Sequence, residues 1–160
     1  MTTKDIENIA YNYFWKTGWY GVFEVAIPRA IINKRRRERV DMLTYETTGI
    51  YRAYEIKNSK SDFYSNCAWS WIGHYNYFIM PYSLYLEVKQ DIPEGIGVWV
   101  VREHNKNMEC IKRPKRRDLI CSSSDMMFAI MQAMSREYKK YRKLKEKENK
   151  NPSKKRSKRK

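Results

Sequence analysis

A short run of residues, Ile96-Gly-Val-Trp-Val-Val101, narrows the possible folds of this chain more than any other segment. The run is almost continuously apolar instead of alternating, which is typical of a β-strand buried on both faces. A second strand is predicted at Tyr75-Asn-Tyr-Phe-Ile-Met80, where Pro81 ends it. Strands of this kind need packed layers on both sides of their sheet. We therefore expect an α/β fold of the α+β type, with a central mixed sheet flanked by helices.

The other elements are predicted from hydrophobic periodicity, capping residues and turn residues. They are a helix from Thr3 to about Lys16, a strand Tyr20–Ile27, a hairpin of Arg39–Leu43 and Tyr51–Lys57 joined by residues 46–49, a short helix carrying Tyr64 to Ile72, a helix Tyr82–Lys89, an edge strand Met108–Lys112 and a final helix from Ser123 or Ser124. Helices thus come before, between and after the strands, which favours their packing on the faces of one sheet.

The positive charge of the chain is unevenly distributed. The 160 residues include 33 Lys+Arg and 18 Asp+Glu, for a net charge of +15. Residues 136–160 hold 14 basic and 3 acidic residues, so they carry +11 and the rest of the chain only +4. We predict a single domain over residues 1–144 and a basic, flexible tail over residues 145–160. Such charge indicates a polyanionic partner, nucleic acid before an anionic membrane surface.

The cysteines, the first residues and the apolar runs indicate the cellular compartment in which the protein is found. Cys67, Cys110 and Cys121 are odd in number and form no CxxC pair, which favours reduced thiols. The first residues are polar and show no secretory signal, and no apolar run is long enough to span a membrane. We therefore expect a cytoplasmic protein, associated with the nucleoid or present in the cytoplasm of a phage-infected host, with no membrane partner.

Two apolar sets are expected to pack in the core. The final helix has a stripe at helical spacing, formed by Met127, Ile130, Met131, Met134, Tyr138 and Tyr141. Helical stripes normally face a core, so we favour this over a groove for a partner. An aromatic set is formed by Trp69, Trp71, Tyr75 and Tyr77. These rings could stack on unpaired bases, but their interleaving with aliphatic residues favours core packing.

The predicted hairpin places three ionisable side chains inside strand-forming runs. Asp41 lies on its first strand, and Glu55 and Lys57 lie on its second. Because Glu55 and Lys57 are two residues apart, they point to the same face of the strand. Buried charges are costly unless they pair or hold a metal. Two interpretations follow: a cross-strand salt bridge at a sheet edge, which is common and weak, and a metal-dependent phosphodiesterase centre.

The second interpretation matches what phosphodiester hydrolysis requires. A hard divalent cation must lower the pKa of a bound water and absorb charge in the transition state. Mg²⁺ prefers oxygen ligands and keeps several waters, so two carboxylates and a backbone carbonyl suffice. Asp41 and Glu55 supply the carboxylates and Ile56 the carbonyl, while Lys57 orients the water or stabilises the developing oxyanion.

The Glu-x-Lys spacing alone is a weak signal, since the chain contains a second copy. Glu87-Val88-Lys89 has the same spacing but lies in a predicted helix, where residues two apart do not share a face. No acidic residue on a preceding strand accompanies this copy. Asp41 is therefore the residue that distinguishes the first copy from the second.

The arrangement Asp41…Glu55-Ile56-Lys57, after a helix and a strand, resembles the PD-(D/E)xK nuclease superfamily. Within that superfamily, residues 20–115 are similar to the MmcB-like DNA-repair group, most strongly over Tyr54-Glu-Ile-Lys-Asn-Ser-Lys-Ser-Asp-Phe63. Val40 stands where the superfamily motif has proline, a common departure. The resemblance implies a restriction-endonuclease-like core, a requirement for Mg²⁺ that Mn²⁺ also satisfies, and a DNA substrate.

The resemblance also implies residue roles. Asp41, Glu55 and Lys57 match the catalytic signature, with Asp41, Glu55 and the Ile56 carbonyl as metal ligands. Some members carry a further acid on the first helix or strand, and Glu24 is preferred over Glu7 for that role. Candidate DNA contacts are Arg35, Arg36, Arg37, Lys60, Lys154, Lys155 and Arg156, although a basic run such as 34–37 is also typical of a solvated loop.

We therefore predict a Mg²⁺-dependent deoxyribonuclease, an endonuclease more than an exonuclease, acting in DNA repair, recombination or phage DNA processing. A non-catalytic DNA-binding protein with the same fold and a basic RNA-binding protein are the alternatives. Because cutting both strands of a duplex usually calls for two active sites, a homodimer is compatible with this function.

Overall fold

Six strands and four helices account for the secondary structure of residues 1–15, 18–27, 38–65 and 71–150, which the computed structural model describes. In chain order they are α1 (Thr3–Phe14), β1 (Trp19–Ile27), β2 (Glu38–Glu46), β3 (Tyr51–Ile56), α2 (Lys60–Phe63), β4 (Tyr75–Pro81), α3 (Tyr82–Val88), β5 (Gly97–Val101), β6 (Met108–Lys112) and α4 (Ser123–Lys150). Residues 34–37 and 151–160 lie outside the described residues, and with them the predicted contacts Arg35, Arg36, Arg37, Lys154, Lys155 and Arg156.

The strands form one mixed sheet in the order β1-β2-β3-β4-β5-β6. The pairs β3–β4 and β4–β5 are parallel, and the other three pairs are antiparallel. Short α2 and α3 lie in the crossovers that parallel pairing requires. The central strands β4 and β5 are buried almost throughout, as their apolar sequences predict. The predicted mixed sheet flanked by helices is confirmed.

Helix α1 begins where local chemistry favours it. Thr2 and Asp5 form a reciprocal capping box, in which Asp5 N–H donates to the Thr2 hydroxyl at 3.1 Å and Thr2 N–H donates to the Asp5 carboxylate at 2.8 Å. Ile6, Ala10 and Phe14, spaced by four, are its buried residues. They pack on one face of the sheet with Met42, Tyr54, Ile56, Tyr77 and Ile79.

The opposite face of the sheet is covered in two parts. Over β1–β3, α4 contributes Met126, Ala129, Ile130 and Ala133 to a cluster with Val22, Val25, Val40, Leu43 and Ala53. Over β4 and β5, α2 and α3 contribute Phe63, Leu84 and Val88 to a second cluster with Phe78, Met80, Val98 and Val100. Both clusters lie on the same face of the sheet. Ala53 of the first cluster and Glu55 are two residues apart on β3 and so share a face, and Glu55 is the register partner of Phe78 of the second cluster. Glu55 therefore lies between the two clusters.

The structure corrects two predicted helices. Of the short helix predicted to carry Tyr64 to Ile72, Tyr64 is the C-cap of α2 (Lys60–Phe63) and Ile72 is buried outside any helix, while residues 66–70 lie outside the described residues. Cys67 and Trp69 lie outside the described residues, whereas Trp71, Tyr75 and Tyr77 pack in the core as expected. The last helix continues to Lys150, six residues beyond the predicted end of the domain at residue 144, and residues 151–160 of the predicted tail lie outside the described residues.

The predicted core stripe of the last helix is largely wrong. Ile130 is buried and Met127 is partly buried, but Met131, Met134, Tyr138 and Tyr141 are all more than half exposed. The helix instead turns Met126, Ala129 and Ala133 toward the sheet. The small Ala129 and Ala133 alternate on this face with the larger Met126 and Ile130, which pack in the same cluster.

No helix within residues 1–15, 18–27, 38–65 and 71–150 combines the length and the apolar content needed to cross a bilayer.

Candidate active site

Three acidic residues lie at one level on neighbouring strands. The pairs Phe23↔Met42 and Val25↔Val40 place Glu24 of β1 opposite Asp41 of β2. The pair Met42↔Tyr54 places Asp41 opposite Glu55 of β3. Residues directly opposite in an antiparallel pair have neighbouring Cβ atoms. The register thus brings Glu24, Asp41 and Glu55 to one level of the sheet, and we call these three residues the acidic row.

The backbone is irregular where Glu24 and Asp41 meet. Glu24 has φ 58°, a left-handed conformation that is uncommon for a residue with a side chain. Val22 and Val25 of β1 are three apart yet both belong to the cluster under α4, so the alternation of the strand is broken between them. Such strain costs about 1–3 kcal/mol and persists only where the surroundings enforce it.

Helix α4 helps to hold the backbone of Glu24 in this conformation. The Arg136 guanidinium donates to the Glu24 carbonyl at 2.6 Å and to the Phe23 carbonyl at 3.4 Å. The Glu24 carboxylate turns to the surface, where it forms an ion pair with Arg39. Nothing in the sequence around Arg136 distinguished it from the other basic residues of the helix, so sequence reasoning missed its role.

Asp41 is held against the next strand. Ile56 N–H donates to Asp41 Oδ2 at 2.8 Å, which ties the β2 acid to the residue between Glu55 and Lys57. Burial raises the pKa of the Asp41 carboxyl above its ordinary value and the nearby Glu24 adds to the rise, while the Ile56 N–H and the charge of Lys57 oppose it. A half-buried carboxylate with a perturbed pKa beside an opposite charge is typical of functional sites.

Glu55 and Lys57 are both buried, with 6% and 3% of their surface exposed. Although β3 ends at Ile56, the pairing with β4 continues, since Lys57 N–H donates to the Ile79 carbonyl at 2.9 Å. The two side chains therefore share the face of the sheet between the two core clusters, as their spacing predicts. An acid and a lysine that are buried together must be strongly favoured by function or by pairing.

Asp62 fixes the Lys57 ammonium. Lys57 Nζ lies 3.5 Å from Asp62 Oδ1. The Asp62 carboxylate also accepts from Asn58 N–H at 3.1 Å, and Asp62 N–H donates to the Ser59 N-cap hydroxyl at 3.2 Å. The capping pattern of Ser59 and Asp62 is visible in the sequence, but the contact of Asp62 with Lys57 is visible only in the fold.

The oxygen donors fit a hard divalent cation better than zinc. Within residues 1–15, 18–27, 38–65 and 71–150, no three His, Cys, Asp or Glu side chains group as a metal site. Asp41 and Glu55 on adjacent strands, with the carbonyl of Ile56, are the residues that would hold such an ion, through two carboxylates and one further oxygen. Glu24, the possible third acid, is instead paired with Arg39.

The remaining predicted residue and the second Glu-x-Lys copy lie apart from this site. Lys60 is exposed on α2 and lies 3.9 Å from Glu87 of α3. In the copy Glu87-Val88-Lys89, both charged side chains are exposed while Val88 is buried. The structure thus separates the two copies as the sequence predicts: one is buried beside a partner strand, the other is solvated.

Comparison with known proteins supports the fold. No family model matches the chain, and no curated protein sequence matches it. Among solved structures, the SPO1766 protein of unknown function from Silicibacter pomeroyi is similar, with a TM-score of 0.70 and 14% identity over 92% of this chain and 94% of that one. At this level of identity the likeness concerns the fold alone, so the chain shares its mixed α/β architecture with that protein.

Proposed function

We propose that this chain is a divalent-metal-dependent DNA nuclease whose active site is formed by Asp41, Glu55 and Lys57. The observation that carries the proposal is the pair of buried charges on β3, two residues apart, with Asp41 bonded to the backbone between them. The resemblance to PD-(D/E)xK nucleases, which rests on the same three residues, supports it. Endonuclease action in repair, recombination or phage DNA processing is the form we favour.

The physical argument is one of cost. Taking two charges out of water costs several kcal/mol per ion, which their mutual attraction only partly offsets. A sheet that needed only stability would carry apolar side chains at positions 55 and 57, between its two core clusters. A strained Glu24 and a half-buried Asp41 at the same level add to the cost. Several unfavourable features at one place favour a catalytic role over a structural one.

Each residue has a distinct task in the proposed reaction. The Asp41 and Glu55 carboxylates and the Ile56 carbonyl would hold Mg²⁺ or Mn²⁺, which supplies a more acidic bound water and charge neutralisation at the phosphate. The Ile56 N–H fixes the orientation of Asp41. Lys57 stabilises the charge that develops on the phosphate oxygens, and Asp62 holds its ammonium in place. A preorganised donor of this kind is typically worth about 3–4 kcal/mol in the transition state.

The basic face of α4 supports DNA as the substrate. Arg136, which bonds to the backbone of Glu24, is followed on the exposed half of the helix by Lys139, Lys140 and Lys143. Positive charge therefore starts beside the acidic row and extends away from it. Each phosphate that such residues neutralise would steepen the salt dependence of binding by about 0.9 in the log–log slope.

A second candidate is a non-catalytic DNA-binding protein with this fold. Two observations favour it: no three His, Cys, Asp or Glu side chains group together among the described residues, and the Glu24 carboxylate is paired with Arg39. The two candidates make different predictions for metal-dependent cleavage, whereas both predict binding.

The test is cleavage of single-stranded, duplex and branched DNA in Mg²⁺, Mn²⁺ or EDTA, with binding measured in parallel. We expect metal-dependent cleavage that falls at least a hundredfold in Asp41→Ala and Lys57→Ala while binding persists. The matched control is Lys89→Ala, from the solvated Glu-x-Lys copy, which should cleave like the wild type. Cleavage that Lys57→Ala retains would contradict the assignment, and binding without cleavage by the wild type would favour the second candidate.

A further inference from the structure

Helix α4 exposes an apolar surface that neither the core nor the candidate site uses. Four of its side chains, Met131, Met134, Tyr138 and Tyr141, are between 52% and 61% exposed, and we call this set the α4 seam. Phe128 and Leu144 beside the seam are also more than half exposed. Most exposed large apolar side chains on a protein surface are scattered singly, whereas a contiguous set marks an interaction surface.

The spacing of the seam identifies the kind of partner. Its residues are separated by three, four and three positions, which is the a, d, a, d pattern of a heptad repeat. At 100° per residue, the seam lies about 110° around the helix from the side that packs Met126, Ala129, Ile130 and Ala133 on the sheet. The seam therefore lies outside the core cluster, although its Met134 also borders a cavity with Trp15 and Phe23. Its spacing fits the matching surface of another helix.

The charges around the seam point to a second copy of this chain. Lys139, Lys143 and Lys147 lie on the opposite side of α4, so two seams can meet without bringing these charges together. Glu137 and Arg142 flank the seam at g and e positions, five residues apart. In a parallel pair of helices, g of one copy faces the e position five residues later in the other, so Glu137 of each copy faces Arg142 of its partner. Within its own chain Glu137 also pairs with Lys140 at 2.8 Å and with Arg136 at 3.4 Å, so the contact across the dimer exchanges one basic partner of Glu137 for another.

The surface area that the seam can bury is that of a weak dimer. Half-exposed side chains of this size offer roughly 100 Å² each, or about 600 Å² per copy for the seam with Phe128 and Leu144. A standard interface buries about 800 Å² per partner, so we expect affinity in the micromolar range. A two-fold axis parallel to the helices places the two sheets on opposite sides, because each sheet packs about 110° from the seam.

We propose that α4 forms a parallel, two-fold symmetric homodimer through the α4 seam. This interface does not depend on nuclease activity, and it brings two copies of the candidate site into one particle. The seam ends at Lys145, which occupies the next a position and lies 5.6 Å from the Tyr141 ring. A lysine at an a position disfavours larger assemblies and fixes the register.

Sedimentation velocity of the full chain between about 1 and 200 µM tests the proposal. The expected result is a concentration-dependent dimer that the double variant Met131→Lys, Tyr138→Lys converts to a monomer with unchanged circular dichroism and thermal midpoint. These positions are exposed in the monomer, so folding should not suffer. The matched control is Leu86→Lys, an exposed apolar residue on α3, which should dimerise normally. A wild type that stays monomeric at 200 µM, or dimers that survive in the double variant, would overturn the proposal.

Charge reversal tests the parallel arrangement. Glu137→Arg and Arg142→Glu should each weaken the dimer about tenfold, and the two together should restore it, because the g–e′ pairs are then re-formed with opposite polarity. Absence of restoration would refute the parallel pairing. Binding to anionic phosphatidylserine vesicles by a monomeric wild type would replace the homodimer by a membrane surface as the partner of the seam.

Discussion

The ion pair of Lys57 and Asp62 gives the sharpest prediction about how the buried charges of the candidate site affect the free energy of unfolding. The substitution is Asp62→Asn, which keeps the size of the side chain and an oxygen that can accept from Asn58 N–H, but removes the negative charge beside the Lys57 ammonium. We expect a clear loss of stability, since a lysine that is 3% exposed would lose this counter-charge.

The magnitude follows from the geometry. Unit charges separated by 3.5 Å attract by about 5 kcal/mol at an effective dielectric constant of 20. Because the Asp62 side chain is 36% exposed, water already screens much of this attraction. Removing one partner of a fully buried pair costs about 3–5 kcal/mol. We therefore expect Asp62→Asn to lower the free energy of unfolding by about 2–3 kcal/mol.

Urea unfolding followed by tryptophan fluorescence measures this change. The matched control is Glu87→Gln, which removes the acid of the Lys60–Glu87 pair, 3.9 Å apart and more than half exposed on both sides. Its effect should stay within about 0.5 kcal/mol. If the two substitutions cost the same, within about 0.5 kcal/mol, Lys57 is solvated in the protein and the argument from buried charge is refuted.

Two further predictions concern the acidic row. Asp41→Asn should raise the free energy of unfolding at pH 7, because burial disfavours the carboxylate in the fold. The pKa of Asp41 is raised in the folded state, so the folded state binds more protons between the unfolded and folded pKa values, and wild-type stability falls as pH rises through that window. The gain from Asp41→Asn should therefore vanish in unfolding measured near pH 3. Arg136→Met should cost about 1–2 kcal/mol in urea unfolding through its lost bonds to the Phe23 and Glu24 carbonyls. Lys139→Met, on the exposed side of α4 away from the seam, should change the free energy of unfolding by less than about 0.5 kcal/mol. A destabilised Asp41→Asn at pH 7, or equal losses in Arg136→Met and Lys139→Met, would contradict these expectations.

Much of the sheet follows from sequence because its strands are specified locally. Near-continuous apolar runs mark β4 and β5, and capping residues mark the start of α1. The last helix shows where such reasoning fails. Its methionine and tyrosine stripe and its alanine stripe both have helical period, and hydrophobicity favours the larger residues. The face with Ala129 and Ala133 is the one that packs on the sheet, and this depends on how the rest of the fold places the helix.

Some features of the candidate site likewise follow from the sequence, and others depend on the fold. The shared face of Glu55 and Lys57 follows from strand period, and the resemblance singles out Asp41. The left-handed backbone of Glu24 and the support from Arg136 depend on contacts between residues more than a hundred positions apart. Glu24 also shows the limit of motif transfer: it lies at the predicted level of the sheet, but its carboxylate binds Arg39 at the surface.

Metal binding tests the central claim without requiring the right DNA substrate. Titration of the full chain with Mn²⁺, followed by the electron paramagnetic resonance signal of the unbound ion, should show one saturable site in the wild type. Glu55→Gln should weaken that site at least tenfold, whereas Glu87→Gln, the corresponding acid of the solvated copy, should leave it unchanged. Absence of a saturable site, or equal binding by the wild type and Glu55→Gln, would contradict the assignment of Asp41, Glu55 and Lys57 as a metal-dependent active site.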